Sequence, residues 1–262
     1  MRQKIYQIDS FTKELFGGNP AAVCILEKWL KGDLMQKIAA ENNLAETAFA
    51  VKKDNYYELR WFTPEVEVDL CGHATLATAF VLYEYYGYKE NTLRFFSFRS
   101  GELIVEKNQT GTFTMDFPTD LISEVPEQKH IIKAIGKQPL ETYKGKTDYM
   151  LVYESQEVIE DIKPNFHLLN ALDCRGVIVT AKGNNVDFVS RFFAPQCGIP
   201  EDPVTGSAHT TLTPYWSKQL NKKSLLAKQL SERGGDIQCE YLEKRVKISG
   251  NAVCYLIGEI NI

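Results

Sequence analysis

Residues with catalytic potential stand directly before a long apolar segment of the sequence. Cys71, Gly72 and His73 precede the run from Ala74 to Tyr86, in which only two threonines and one glutamate are not apolar. Such a run predicts a helix enclosed by protein, because crossing a bilayer would require about 20 apolar residues. The first turn of a helix has free N–H groups and the positive end of the helix dipole, so this cluster suits a carboxylate or another anion. The alternative is a core helix preceded by a glycine turn.

A second polar cluster precedes the segment from about Thr205 to Leu220, which we expect to form another central helix. Asp202 is held in an extended conformation by the proline that follows it. Flexible backbone and hydroxyl groups come next, from Thr205, Gly206 and Ser207. A helix N-cap would account for one of these residues. It would not account for two carboxylates, two hydroxyls and a glycine in one turn, which favours a functional site.

Glu46 is the one charged residue in the run from Leu44 to Val51, at the predicted start of a strand. Its side chain lies either on an exposed face of the strand or in the interior, where burial raises the pKa of a carboxyl group. Burial would suit a general base, which works best when its pKa approaches the operating pH. The run itself leaves both possibilities open.

The two clusters belong to a repeated sequence pattern. An Arg-aromatic-Phe-x-Pro motif occurs at 60–64 and again at 191–195. Each copy is followed by a short loop and by a Gly-x-Ala motif, at 72–74 and 206–208, that opens a central helix. Because both motifs recur in the same order, the chain is predicted to contain a duplicated unit.

Strands predominate in the rest of the chain, and the pattern predicts an α+β protein of two lobes. The polar segment 118–128, which contains prolines, is the expected crossing between the lobes. The N-terminal lobe is therefore residues 1–118 and the C-terminal lobe is residues 119–262. The last strand, about 253–262, is expected to be able to pack on the N-terminal lobe.

Three local features of the N-terminal lobe are also predicted. Two glycines within 16–20 predict a turn whose backbone can approach another group closely. Residues 33–42 predict an amphipathic helix with Asp33 as its N-cap. The tyrosines are assigned mostly to the helix core; they are Tyr83, Tyr85, Tyr86 and Tyr88.

Composition excludes several classes of protein. The content of 44% hydrophobic and 24% charged residues is normal for a globular protein, and the net charge of −4 indicates no nucleic-acid-binding surface. The N-terminus has no apolar signal core, which predicts a cytoplasmic protein without a membrane segment. The six cysteines lack CxxC spacing and are expected to be reduced thiols. The four histidines form no HExxH pattern, so no metal site is predicted.

Several motifs together resemble the PhzF-type phenazine-biosynthesis isomerase family. They follow in order along both halves of the chain: Asp9-Ser10-Phe11, Gly18-Asn19-Pro20-Ala21-Ala22-Val23, Leu44-Ala45-Glu46-Thr47-Ala48-Phe49, Phe62-Thr63-Pro64, Cys71-Gly72-His73-Ala74-Thr75 and Glu201-Asp202-Pro203-Val204-Thr205-Gly206-Ser207-Ala208. The resemblance implies a diaminopimelate epimerase-like fold, in which two pseudo-symmetric lobes each wrap a β-barrel-like sheet around a central helix. It further implies an active site between the lobes and allows a homodimer.

The resemblance also implies an isomerase that shifts a proton on a small carboxylate-bearing substrate without a cofactor. In the family, the glutamate of the Ala-Glu-Thr motif is the general acid/base, and its match here is Glu46. His73, Asp202 and Ser207 match other residues of the pocket and are expected to be catalytic as well. Positions that match substrate-binding residues are Cys71, Gly72, Thr205 and Gly206. Backbone N–H groups at two helix N-termini would then hold the substrate carboxylate and stabilise developing negative charge.

The sequence departs from related enzymes at two points. Diaminopimelate epimerase uses two cysteines, one at the start of each central helix, whereas this chain has Cys71 at the first and none at the second. A two-thiol racemase is therefore disfavoured. Residues 231–235 stand where the family has a glutamine-glycine segment, which leaves the substrate open. Two alternatives remain, namely an amino-acid-type racemase or epimerase that uses Cys71 with Glu46, and a small-molecule-binding protein without catalysis.

Overall fold

The computed structural model of the protein describes residues 2–262, and these form two compact units. The first unit holds the described residues up to Asp116 together with Ser249–Ile262, and the second is Phe117–Ile248. Strands predominate in both units, as the short β-rich runs between turns predict. Among the described residues, no helix has the length and apolar character that a membrane span requires.

The helices and strands are numbered in chain order. The chain begins with β1 (Arg2–Ser10), β2 (Asn19–Leu26), α1 (Gly32–Asn42), β3 (Glu46–Lys52), β4 (Tyr57–Phe62), β5 (Glu67–Val68), α2 (Gly72–Tyr85), β6 (Thr92–Ser97), β7 (Gly101–Lys107) and β8 (Phe113–Pro118). It continues with β9 (Ser123–Glu124), α3 (Lys129–Ile135), β10 (Glu141–Lys144), β11 (Asp148–Val152), α4 (Gln156–Asp161), α5 (Phe166–Asn170), β12 (Gly176–Lys182) and β13 (Phe188–Ala194). After a short 3₁₀ helix (Pro195–Cys197) come β14 (Ile199–Asp202), α6 (Gly206–Leu220), β15 (Ser224–Gln229), β16 (Gly235–Leu242), β17 (Arg245–Gly250) and β18 (Ala252–Asn261).

The two units share one order of strand pairing. In the first unit, β2 pairs parallel with β3, β3 antiparallel with β4, and β4 parallel with β6. In the second unit, β11, β12, β13 and β15 pair in the same succession of directions. The helices α2 and α6 occupy the same place in this order, after the short strands β5 and β14. The predicted duplication is therefore confirmed at the level of strand pairing.

The predicted enclosed helix of the first unit is α2, which is buried around most of its circumference. The strand β3 beside it has six consecutive buried residues. Neighbouring residues of a strand point to opposite faces, so both faces of β3 must be covered. The helices α1 and α2 both contact β3, and Phe49 packs with Met35 and Ile38 of α1 in one apolar cluster. The sheet therefore lies between a buried central helix and an outer helix.

The second central helix, α6, contains an internal proline, which the sequence analysis did not consider. Pro214 has no N–H group, and this leaves the carbonyl oxygen of Thr210 without its usual partner within the helix. The backbone N–H of Asp120 donates to that oxygen over 3.3 Å. The Asp120 carboxylate also accepts a hydrogen bond from the hydroxyl of Thr211. A neighbouring segment thus replaces the missing helical hydrogen bond.

Two local predictions about the first unit were wrong. The helix α1 begins at Gly32 with Lys31 as its N-cap, because the Lys31 carbonyl already accepts from the N–H groups of residues 34 and 35. Asp33 therefore lies in the first turn, where its negative charge interacts favourably with the helix dipole. It does not cap the helix. Tyr85 and Tyr86 are not core residues, since they are 41% and 43% exposed. They lie at the end of α2, where the helix emerges from its sheet.

Substituting Gly18 is expected to destabilise the first unit strongly. Gly18 has a φ of +64°, and an added Cβ would lie 2.1 Å from the carbonyl oxygen of Ser10. We expect Gly18→Ala to lower the free energy of unfolding by roughly 3 kcal/mol or more, as measured by urea denaturation, because backbone would have to move.

Gly87→Ala is the matched control for this substitution. Gly87 has a nearly equal φ of +67°, but an added Cβ would meet no atom within 4 Å. It should lower the free energy of unfolding by only about 1–2 kcal/mol, the penalty of the left-handed conformation itself. An equal fall in the free energy of unfolding of the two variants would show that the close approach of Gly18 to Ser10 does not add to the penalty.

Candidate functional site

The structure brings the predicted site residues of the first unit into one buried cluster. Glu46 is the first residue of β3, Cys71 is the N-cap of α2, and His73 is the second residue of that helix. His73 Nε2 lies 3.1 Å from Glu46 Oε2, and His73 Nδ1 lies 3.5 Å from Cys71 Sγ. Glu46 is only 9% exposed, which decides between the exposed and buried interpretations of its position.

Two hydrogen bonds fix the start of α2 where this cluster forms. The hydroxyl of Thr75 donates to the carbonyl oxygen of Cys71 over 2.6 Å. The hydroxyl of Ser10, at the end of β1, donates to the carbonyl oxygen of His73 over 2.9 Å. Both hydroxyls are buried, so each bond satisfies groups that would otherwise lose their hydration. The helix start is therefore fixed both from within the helix and from the neighbouring strand.

Burial and the three close groups determine the protonation of the cluster. Burial alone would lower the pKa of His73, but the adjacent Cys71 sulfur and Glu46 carboxylate outweigh it and raise that pKa well above 6.5. Burial, together with the charge of Glu46, raises the pKa of the Cys71 thiol to about 11. Near neutral pH the cluster therefore combines an imidazolium with a neutral thiol.

One oxygen of the Glu46 carboxylate has no hydrogen bond. Oε2 is buried and close to His73 Nε2, but the geometry between the two groups does not meet that of a hydrogen bond. A buried carboxylate oxygen without a hydrogen bond is energetically costly, and such sites are frequently functional. The oxygen is ion-paired with His73 but accepts no hydrogen bond, which leaves a lone pair for a proton, as a general base requires.

The same three side chains have the atom types of a metal site. Their donor atoms, a carboxylate oxygen, a thiol sulfur and an imidazole nitrogen, all lie within 4.8 Å of one another. Zn²⁺ accepts this mixture of ligands once the thiol and the imidazole have lost their protons. The absence of a metal from the reaction stays a prediction.

In the second unit the structure gathers the other predicted residues around the start of α6. Thr205 is the N-cap of α6, and its hydroxyl donates to Asp202 Oδ2 over 2.5 Å. Gly206 and Ser207 are the first two residues of the helix. The predicted cluster of Asp202, Thr205, Gly206 and Ser207 is therefore one local assembly.

Gln229 completes this assembly, and sequence reasoning missed it. It is fully buried at the end of β15, where its Oε1 accepts from the Thr205 backbone N–H over 2.9 Å. Its Nε2 donates to the carbonyl oxygen of Asp202 over 2.7 Å. Sequence reasoning looked for a glutamine at 231–235, two residues too late. A glutamine in an otherwise apolar-alternating strand was the available signal.

Arg175 is a second residue that sequence reasoning missed. Its Nη2 donates to Ser207 Oγ over 3.0 Å. Its Nε and Nη2 also form two hydrogen bonds with the carboxylate of Asp148, which is 2% exposed. Burial disfavours the charged form of Arg175, but Asp148 outweighs this and raises the pKa of the guanidinium. No motif marks either residue, because they meet only when β11 and β12 pair.

The strand registers identify equivalent residues in the two units. Glu46 lies opposite Ala21 in the first unit, and Gly176 lies opposite Asp148 in the second. The antiparallel pairs that follow, of 47 with 62 and of 177 with 193, give the same alignment. Gly176 is therefore the equivalent of Glu46.

The second unit has no space for a side chain at the position of Glu46. A Cβ on Gly176 would lie 2.4 Å from the ring of Phe192. The helix starts align in the same way, with Thr205 at the position of Cys71 and Ser207 at that of His73. The hydrogen bonds to the N-cap carbonyls, from Thr75 in one unit and His209 in the other, support this alignment. The cluster of Glu46, Cys71 and His73 is therefore present in the first unit and replaced in the second.

Comparison with known proteins gives a family match over nearly the whole chain. The family described as phenazine biosynthesis-like protein, PhzC-PhzF, matches residues 8–258. A Pseudomonas aeruginosa protein named as an uncharacterized isomerase is 48% identical over 263 residues and covers 100% of both chains. A crystal structure of a PhzF-family phenazine biosynthesis protein from Enterococcus faecalis is 51% identical and superposes with a TM-score of 0.97, covering 100% of both chains.

A more distant likeness bears on the fold alone. The crystal structure of a hydroxyproline epimerase from Agrobacterium vitis superposes with a TM-score of 0.59 at 9% identity, covering 99% of this chain and 92% of that one. Together with the two repeated units, this confirms the diaminopimelate epimerase-like fold class that the family resemblance implies.

Glu46→Gln is expected to lower the pKa of His73, because the lost carboxylate is one of the groups that raise it. An NMR pH titration of the His73 ring measures the change. Since the folded pKa is raised, protonated His73 stabilises the fold below about pH 6.5, and this contribution is lost as the pH rises through the folded pKa. The variant should therefore lose stability at low pH more than at high pH.

Glu58→Gln provides the matched control for this titration. Glu58 is a buried glutamate of the same unit, but it accepts from Trp29 Nε1 and pairs with Lys53. It should leave the pKa of His73 unchanged. An unchanged pKa in Glu46→Gln, or an equal fall in the control, would contradict the coupling between Glu46 and His73.

Proposed function

The chain belongs to the phenazine biosynthesis-like (PhzF) family, and we propose that it is a cofactor-independent isomerase acting on a small carboxylate-bearing metabolite. Glu46 removes a proton from a carbon of the substrate, and the electron pair left behind spreads into an adjacent conjugated system. The same carboxyl group then returns the proton to another carbon. Bonds and protons balance without a metal, a nucleotide or a redox partner.

The single observation that carries this proposal is the asymmetry of the repeat. Glu46 is buried with an oxygen that has no hydrogen bond, and its equivalent Gly176 has its space filled by the ring of Phe192. A racemase that inverts a centre needs a second group to deliver a proton on the opposite face. One base that takes and returns a proton on one face gives an isomerisation instead.

The surroundings of Glu46 support this role. A positively charged His73 at 3.1 Å stabilises negative charge that develops in the transition state, and it does so from a fixed, water-poor position. The start of α2 provides further N–H groups for a substrate carboxylate. We therefore assign proton transfer to Glu46, stabilisation of the developing charge to His73, and substrate binding to Asp202 and Ser207.

The racemase alternative, with Cys71 as a second acid/base beside Glu46, receives less support. The Cys71 thiol has a pKa of about 11 and therefore stays protonated near neutral pH. Its equivalent in the second unit is Thr205, so the two-thiol arrangement is absent from the described residues. Cys71 remains suited to lining the site rather than to nucleophilic or basic chemistry.

The proposal includes a cytoplasmic location and a homodimer. All six cysteines are free thiols, which favours a reducing compartment. For the dimer, the support is an apolar surface on β18, where Tyr255, Leu256 and Ile257 are 47%, 42% and 54% exposed. Tyr255 is the extra residue at a register shift against β1, whereas the consecutive Leu256 and Ile257 point to opposite faces, so β18 is apolar on both faces here. Phe16, 66% exposed, extends this surface by packing edge-on against Tyr255.

The dimer is tested by placing a charge in this surface. We expect Ile257→Lys to shift the protein from dimer to monomer in sedimentation velocity, because the lysine would be desolvated in the interface. Leu226→Lys is the control, since Leu226 is similarly exposed at 51% in the other unit. A monomeric unaltered protein, or equal effects of the two variants, would remove β18 from dimer formation.

The isomerase proposal is tested by incorporation of solvent deuterium. Candidate substrates are small cyclic and amino-dicarboxylic acids, and NMR in D₂O follows exchange at carbon. We expect Glu46→Gln to slow exchange by about 10²–10⁴-fold, the usual contribution of a general base. Removing metal ions with a chelator should leave the rate of the unaltered protein unchanged.

Glu58→Gln is again the matched control and should exchange at the normal rate, because its carboxylate lies in a different ion pair. Normal exchange in Glu46→Gln would remove Glu46 from the mechanism. Binding of a panel member without any exchange would favour the non-catalytic binding protein.

A further inference from the structure

The second unit contains an ion pair that the repeated fold does not require. Its members, Asp148 and Arg175, are replaced at the equivalent positions of the first unit by Ala21 and Ala45. The first unit thus builds the same pair of parallel strands with two alanines. A purely architectural ion pair would be expected in both units.

Another arginine of the second unit shows what an architectural pair looks like in this fold. Arg191 forms a two-point ion pair with Glu201, at 2.7 and 2.9 Å. In the first unit, Arg60 forms the same pair with Glu67, at 2.6 and 2.8 Å. These arginines begin the repeated Arg-aromatic-Phe-x-Pro motif, and their ion pair is present in both copies. The Arg175 pair occurs in the second copy alone.

The guanidinium of Arg175 is only partly used by the protein. Asp148 and Ser207 occupy Nε and Nη2, while Nη1 has no hydrogen-bond partner within the described residues. The side chain is 36% exposed, in contrast to the 2% of Asp148. The ring of Phe192 packs against its guanidinium at 5.3 Å and limits its movement. Two N–H donors of a charged group therefore have no acceptor among the described residues.

The hydroxyl of Ser207 is also available as a hydrogen-bond donor. Because Ser207 Oγ accepts a hydrogen bond from Arg175, its own hydrogen is left for another acceptor. Ser207 is exposed at the start of α6. The arrangement offers N–H and O–H donors side by side, on a guanidinium whose charge is balanced by the Asp148 carboxylate. An oxyanion is the group that matches such donors.

Ser207 is the equivalent of His73, so the groups beside these two residues can be compared directly. In the first unit the residue at this position has a carboxylate at 3.1 Å, whereas in the second it has a guanidinium at 3.0 Å. An arginine keeps its proton at any working pH and cannot act as the acid or base. The carboxylate beside His73 therefore suits proton transfer, whereas the guanidinium beside Ser207 suits anion binding.

We propose that Arg175 and the Ser207 hydroxyl bind a carboxylate of the substrate, and that Arg175 is the residue that selects acidic over neutral substrates. This inference rests on the proposed function in so far as the bound acid is the isomerase substrate. Asp148 acts as a positioning residue, since it holds the guanidinium beside Ser207. The site takes up a planar carboxylate through Arg175 Nη1 and Ser207 Oγ–H.

The test compares a carboxylate probe with its neutral analogue. Calorimetric titrations with benzoate and with benzamide are made on the unaltered protein and on the double variant Arg175→Gln/Asp148→Asn. Changing both partners avoids leaving a buried carboxylate unpaired. We expect the dissociation constant for benzoate to rise about 10–100-fold, which corresponds to a lost charged hydrogen bond, and that for benzamide to stay unchanged.

Two further variants separate recognition from folding. Arg191→Gln/Glu201→Gln removes an ion pair of similar geometry and should leave benzoate binding unchanged. Arg175→Lys keeps the charge beside Asp148 and should restore part of the affinity. Equal binding of benzoate and benzamide by the unaltered protein would overturn the proposal. Normal benzoate binding by the Arg175 double variant, or an equal loss in the Arg191 control, would do so as well.

The outcome is independent of the isomerase proposal. Glu46→Gln leaves Arg175 and Ser207 intact, so benzoate binding by that variant should be retained even where deuterium exchange is lost. If exchange depends on Glu46 but benzoate binding does not depend on Arg175, only the present inference fails. If benzoate binding depends on Arg175 and no exchange occurs, the anion site stands without the proposed reaction.

Discussion

The contact between a buried carboxylate and a buried imidazole is the constraint on which the candidate site depends. Glu46 and His73 both lie in the interior of the first unit, where an isolated charge would be strongly destabilised. Their separation of 3.1 Å makes the two charges compatible with burial. It requires that β3 and α2 begin at defined points relative to each other. Ser10 and Thr75 fix the helix start through hydrogen bonds, and the pairing of β2 with β3 fixes the strand start.

The duplication explains how one frame supports two kinds of chemistry. Strand pairing, the Arg-Glu pairs and the helix starts recur in both units. The residues at the helix starts differ, because only the protein frame has to be conserved for each copy to fold. One copy has a carboxylate beside an imidazole, and the other has a guanidinium beside a hydroxyl. Under our proposals, the first copy transfers a proton and the second binds a carboxylate.

Much of this could be predicted from continuous segments of sequence. The apolar run of α2, the repeated arginine motif and the crowded turn before α6 are each contained in a few neighbouring residues. Gln229 and the pair of Asp148 with Arg175 were missed, because they join the site from strands 24 to 32 residues away from their partners. The predictions of Asp33 as an N-cap and of Tyr85 and Tyr86 as core residues were wrong for a related reason. The exact helix start and the point where a helix leaves its sheet depend on tertiary contacts rather than on local pattern.

In our proposal a single carboxyl group moves the proton, and the path of an isotopic label distinguishes this from transfer between two groups. A substrate carrying deuterium at the reacting carbon would be converted in ordinary water, and the product analysed for the position and face of the label. A single base predicts that part of the deuterium reaches the new carbon, on the face from which it left. Complete loss of the label, with solvent hydrogen entering on the opposite face, would contradict the account and require a second acid.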